Sequence, residues 1–114
     1  MSELAIEGID LVRSDNIIVE TIYGPVPLFC VTTEKHELFF LERHHGEGMM
    51  PPHKINHRAN IKALEDSGVD CILSVCSVGT IPTDFPPGSV GYATQYIDFT
   101  GVDMSYSNSD AVFT

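Results

Sequence analysis

The chain opens with a regular alternation of apolar runs and turn signals. Residues 16–22 (NIIVETI) are β-branched and apolar, bounded by Ser14-Asp15 before and Tyr23-Gly24-Pro25 after, which predicts a strand. Residues 28–33 (LFCVTT) and 37–41 (ELFFL) flank the polar connection Glu34-Lys35-His36, which has hairpin length. The first third therefore reads as a β-meander. From Arg43 to His53 the pattern breaks into RHHGEGMMPPH, a loop rich in Gly, Pro and His that sustains neither period. Residues 54–67 (KINHRANIKALEDS) follow Pro51-Pro52, contain good helix formers and stop at Gly68, so they predict a helix. Its apolar stripe is split, with Ile55, Ala59 and Ala63 on one side and Ile61 and Leu64 nearly opposite, which predicts burial on two sides.

Residues 70–78 (DCILSVCSV) form a nearly continuous apolar run, the pattern of a parallel strand covered on both faces. With the strand at 37–42 and the helix at 54–67 it predicts a βαβ unit with a right-handed crossover. A Pro-rich connection over 80–89 then leads to a further strand at 90–99. The fold class expected is α/β, a mixed sheet made of a β-meander followed by a βαβ unit.

Composition narrows the chemistry. The 114 residues include 16 acidic and 6 basic side chains, a formal net charge of −10, with 43% hydrophobic residues and no Trp. This length fits one domain. The negative balance and the scattered basic residues speak against a nucleic-acid partner. No apolar run reaches the roughly 20 residues of a membrane-spanning helix, and the acidic N-terminus is unlike an export signal, so a cytoplasmic protein is expected. Cys30, Cys71 and Cys76 match no zinc spacing and read as reduced core thiols.

Ligands of open α/β sheets gather beyond the carboxyl ends of the strands. Arg43 and His44 leave one strand of the predicted βαβ unit and Ser77-Val78-Gly79 leave the other, so parallel pairing sets both on one rim. A guanidinium fork facing a hydroxyl and backbone N–H groups beside a glycine is chemistry for a phosphate or carboxylate. His44, His45, His53 and His57 do not form a metal set, because adjacent side chains diverge and no HExxH is present. Asn56, Arg58 and Asn60 are expected to tie loops to the core by hydrogen bonds. Met49 and Met50 are expected to pack within their loop.

Taken together, Arg43-His44, PPHKINHRANIKAL (51–64), SVCSVGT (74–80), PPGS (86–89) and QYIDFT (95–100) resemble the N-terminal half of the purine nucleoside phosphorylase family, nearest to its methylthioadenosine phosphorylase branch. The resemblance runs in order from Val19 to Thr100. It implies phosphorolysis, in which inorganic phosphate attacks the anomeric carbon of a purine nucleoside to give free purine and a ribose 1-phosphate derivative. It implies no cofactor, with phosphate as co-substrate. It assigns phosphate contacts to Arg43, His44, Cys76 and Ser77 and substrate contacts to Val78 and Gly79, and leaves the catalytic residue unknown. Aligned phosphate would stabilise an oxocarbenium-like sugar electrostatically.

The chain also departs from the family. A lone Gly8 stands where the family has a Gly-rich turn with a phosphate-binding Ser or Thr, and His45 stands where the family has Gly after the Arg-His pair. Met49 and Met50 replace residues that are usually polar or basic, and the purine-recognising Asp of the family falls beyond Thr114. The expectation is a fragment or split subunit of a nucleoside phosphorylase, inactive alone, that works as a homo-oligomer or with a complementing chain. The alternative is a phosphate- or nucleoside-binding or structural relic that pairs with another chain.

Overall fold

A computed structural model of the chain describes residues 10–45, 50–103, 105 and 106. Gly8 and Met49 lie outside the described residues. The meander is present: β1 (Leu11–Thr21), β2 (Gly24–Thr33) and β3 (Glu37–Phe40) form an antiparallel sheet in the order β1-β2-β3. The first hairpin turns at Ile22-Tyr23. Gly24 has φ 127°, a backbone state that a side chain rarely adopts, and Thr21 Oγ1 donates to Gly24 O at 2.7 Å while accepting from Tyr23 N at 3.1 Å. The second turn closes through Thr33, whose N donates to His36 O at 2.8 Å and whose Oγ1 accepts from His36 N at 3.0 Å.

β1 begins earlier than the apolar pattern foretold, at Leu11, because β2 is long enough to pair with Arg13 through Thr32 and with Leu11 through Thr33 across a register irregularity. Arg13 and Asp15 form an ion pair two residues apart, on one face of the strand.

α1 (His57–Asp66) is shorter than the predicted span. Pro52–Lys54 forms a separate 3-10 turn, Ile55 is extended, and Asn56 caps α1 by accepting from Ala59 N at 3.1 Å. At the other end Ser67 Oγ donates to Ala63 O at 2.7 Å and Gly68 takes φ 74°, the expected glycine stop. Burial is one-sided, which corrects the two-sided expectation: Ala59, Asn60, Ala63 and Leu64 are buried while Ile61 is 46% exposed. The two alanines carry little volume, so the helix backbone lies close on the sheet. The core is built from Val26 and Leu28 of β2 against Ala59, Ala63 and Leu64, with Ile17, Val19, Tyr23, Phe39, Leu41 and Val69 around it.

The βαβ expectation is corrected by the second half of the chain. Residues 70–78 form no strand, and among the described residues all sheet pairing is antiparallel. Leu73 and Val75 are 87% and 85% exposed. A parallel strand needs a partner edge of its own length and cover on both faces. β3 offers an edge of four residues, and α1 is already spent on β1 and β2. Residues 90–99 likewise form no strand, and Tyr92, Tyr96, Ile97 and Phe99 are exposed. Cys71 and Cys76 are therefore exposed free thiols and not core thiols, whereas Cys30 in β2 is half-buried. No described helix is long and apolar enough to cross a membrane.

Candidate functional site

The site is the turn that leaves β3. After Phe40 the chain passes Leu41, which packs on the core, and reverses over Glu42–His45, with His45 N donating to Glu42 O at 2.8 Å. Arg43 is exposed at its apex. Its Nε donates to His44 Nε2 at 3.1 Å, and His44 Nδ1 lies 2.8 Å from Met50 O. A carbonyl only accepts and a guanidinium N–H only donates, so these two contacts call for the His44 tautomer that carries its proton on Nδ1. Met50 N in turn donates to His44 O at 3.1 Å. The His44 ring thus fixes the Arg43 side chain at Nε and leaves its two terminal amino groups without a partner among the described residues. Free guanidinium amino groups of this kind have the geometry to pair with a planar or tetrahedral oxyanion.

His45 secures the turn from the other side. It has φ 56°, the one positive value outside glycine among the described residues, and its Nε2 lies 2.8 Å from Asn60 Oδ1. Asn60 is 4% exposed on the sheet-facing side of α1, and its Nδ2 has no partner among the described residues. Asn56 ties a second loop to the helix, with Nδ2 donating to Tyr23 O at 2.8 Å. The tethering expected of Asn56 and Asn60 is present, while Arg58 contributes its backbone carbonyl to Tyr106 Oη at 2.9 Å.

The structure brings Arg43 and His44 together. Cys76, Ser77, Val78 and Gly79 lie in the exposed segment without regular structure and make no hydrogen bond to the 43–45 turn. Met50, read from sequence as loop packing, serves through its backbone; the role of His45 depends on a dihedral angle, and neither leaves a mark in residue type. Among the described residues no three His, Cys, Asp or Glu side chains converge as a metal set would require. An open groove of about 580 Å³ is lined by Ile22, Tyr23, Ile61, Lys62, Glu65 and Tyr106 and includes no residue of the Arg43 turn.

Comparison with known proteins supplies the wider context. No protein-family model matches the chain, and no solved structure matches it. Among curated proteins, the probable 6-oxopurine nucleoside phosphorylase of Thermococcus kodakarensis is 48% identical over 83 residues, which is 72% of this chain and 31% of that protein. The 6-oxopurine nucleoside phosphorylase of Pyrococcus furiosus is 42% identical over 82 residues, 72% of this chain and 31% of that protein. The S-methyl-5′-thioadenosine phosphorylase of Mycolicibacterium smegmatis is 37% identical over 99 residues, 84% of this chain and 38% of that protein. The chain spans about a third of the length of the curated relatives it matches. The motif resemblance is therefore a family relationship: this chain is homologous to the N-terminal part of the purine nucleoside and methylthioadenosine phosphorylases.

Proposed function

We propose that the chain supplies the phosphate-gripping part of a nucleoside phosphorylase and acts only together with the remainder of that fold, carried by a complementing chain or a second copy. The observation that carries this reading is the hydrogen-bonded series Arg43 Nε, His44 Nε2 and Nδ1, Met50 O, which presents the guanidinium at the end of β3. In the proposed reaction an oxygen of hydrogen phosphate forms a bond to the anomeric carbon as the bond to the purine nitrogen breaks, and the proton that the phosphate gives up ends on the leaving purine. Arg43 holds the phosphate, and His44 orients Arg43. No cofactor is involved, and the setting is the cytoplasm.

Cys76 and Ser77 would add phosphate contacts, and Val78 and Gly79 would border the nucleoside, once the remainder of the fold lends residues 70–78 the partner edge and cover that β3 and α1 do not give them. That arrangement is the phosphorylase-type mixed sheet. It is supported by the strand-like apolar run at 70–78. A second reading, a non-catalytic module that binds phosphate or pairs with another chain, is favoured by the exposure of residues 71–79.

Phosphate titration followed by calorimetry tests the site. Binding is expected in the millimolar range, and Arg43→Ala should weaken it about tenfold to a hundredfold, the loss of a charge-assisted contact worth roughly 1.5–3 kcal/mol. Arg58→Ala is the control: the structure uses only the backbone carbonyl of Arg58, which alanine keeps, so phosphate affinity should be unchanged. Equal affinity in wild type and Arg43→Ala would remove the basis for the reading.

A further inference from the structure

A turn that projects an arginine from a strand end is not rigid by itself. Arg43 is exposed, and the pairing of His44 with Met50 ties the turn only to its own loop. Among the described residues, the one side-chain link from this turn to a packed element is His45 Nε2 to Asn60 Oδ1. Asn60 is well suited to act as an anchor, since it is 4% exposed and sits in the middle of α1 between the core residues Ala59 and Ala63. The link requires His45 to take φ 56°, where glycine is the unstrained residue and histidine is tolerated better than most. A glycine would satisfy the backbone and provide no tether. Histidine instead accepts a less favourable backbone and gains the contact with Asn60.

We infer that His45 is a positioning residue: its ring, tied to the buried Asn60 of α1, aims the neighbouring Arg43–His44 pair at an oxyanion. The inference rests on the reading of Arg43 as a phosphate ligand, and it deepens that reading by adding Asn60 and His45 behind the ligand. It also gives the buried amide of Asn60 a use, since an apolar side chain at this position would pack against the sheet equally well but could not hold the turn.

The test uses the full chain, isotopically labelled, with nitrogen-detected spectra of the Arg43 Nε–H group and of the histidine rings, and inorganic phosphate as the probe. His45→Gly suits the left-handed backbone and should keep the fold. Exchange of the Arg43 Nε–H with water is expected to become about tenfold faster as the contact with His44 loosens. Phosphate affinity should fall about threefold to tenfold, the effect of one neutral hydrogen bond. His45→Gln, whose amide nitrogen reaches about as far as the ring Nε2, should restore both. If His45→Gly does not fold, His45→Asn serves in its place, because it tolerates the same backbone but falls short of Asn60. Unchanged Arg43 Nε–H exchange in these variants overturns the inference, as does a wild-type His44 ring protonated on Nε2, which could not accept from Arg43. A wild type whose Arg43 and His44 signals ignore phosphate sinks the phosphate reading alone, because the exchange rate still reports on positioning.

Discussion

Cys30 lies in β2 opposite Phe39 of β3, and its thiol donates to Glu37 Oε1 at 3.5 Å. Burial pushes this thiol above its ordinary 9.0, and the hydrogen bond and charge of Glu37 add to the shift. Tyr106 is raised above 10.0, first by burial and then by the neighbouring Tyr23, and Lys62 above 10.5 through its hydrogen bonds to Glu65 and Asp66. All three groups hold their protons more tightly in the folded chain than in the unfolded one. The unfolded chain releases those protons first as pH rises, so it binds fewer, and stability falls with pH. The contribution is fully present below the thiol's ordinary value and is lost progressively above it. The urea midpoint should thus be level between pH 7 and 8 and decline from about pH 9 upward, with Cys30→Ala removing the earliest part of the decline. A midpoint that rises across this range would contradict the assignment. The same residue scale marks what the sequence disclosed of the site. Arg43 and His44 could be picked out as candidates because their side chains carry charge and hydrogen-bonding groups at a strand end, whereas the anchoring by Met50 depends on its backbone carbonyl, which every residue possesses.

At the scale of elements, one residue secures α1 at two places. Asn56 caps the helix through Oδ1 and holds the β1–β2 turn through Nδ2. Asn56→Ala should cost about 1–2 kcal/mol for the cap and roughly another 1 kcal/mol for the bond to Tyr23 O. Asn56→Asp keeps the cap and loses only the second bond, so its loss of stability by denaturant titration should be about half as large; equal losses would show that the cap contributes little. The meander could be read from sequence because its pairing is local: alternation in β1 and β2, a two-residue turn and a short polar turn each specify contacts close along the chain. The helix was legible from its formers and its Gly68 stop, though not its start, which Ile55 sets by staying extended. Residues 70–78 were misread for a physical reason. Their composition expresses a need for cover on two faces, and composition cannot tell whether the covering elements are present in the same chain.

At the scale of the whole molecule, that unmet need predicts how the chain behaves in solution. Leu73, Val75, Ile81, Val90 and Phe99 are 87%, 85%, 96%, 97% and 90% exposed. Each large apolar side chain left in water forfeits roughly 1.5–3 kcal/mol of burial, and an apolar surface this extended is uncommon on a monomer. Among the described residues, the edges of β1 and β3 also have no pairing partner. Opposing association is the formal net charge of −10, whose mutual repulsion reaches only about 10 Å at 0.1 M salt. The balance between the two predicts association that strengthens with salt: static light scattering should report a growing mass as sodium chloride rises from about 20 mM to 300 mM, because the repulsion is screened while the apolar attraction is not. Leu73→Lys should suppress this growth. Ile22→Lys, at an 82% exposed position on the β1–β2 turn, should suppress it far less, because the turn lies outside the 70–99 segment. A single monomeric mass at every salt concentration, with one cooperative unfolding transition, would mean that residues 70–99 find their cover within the chain and that no partner is needed to complete the sheet.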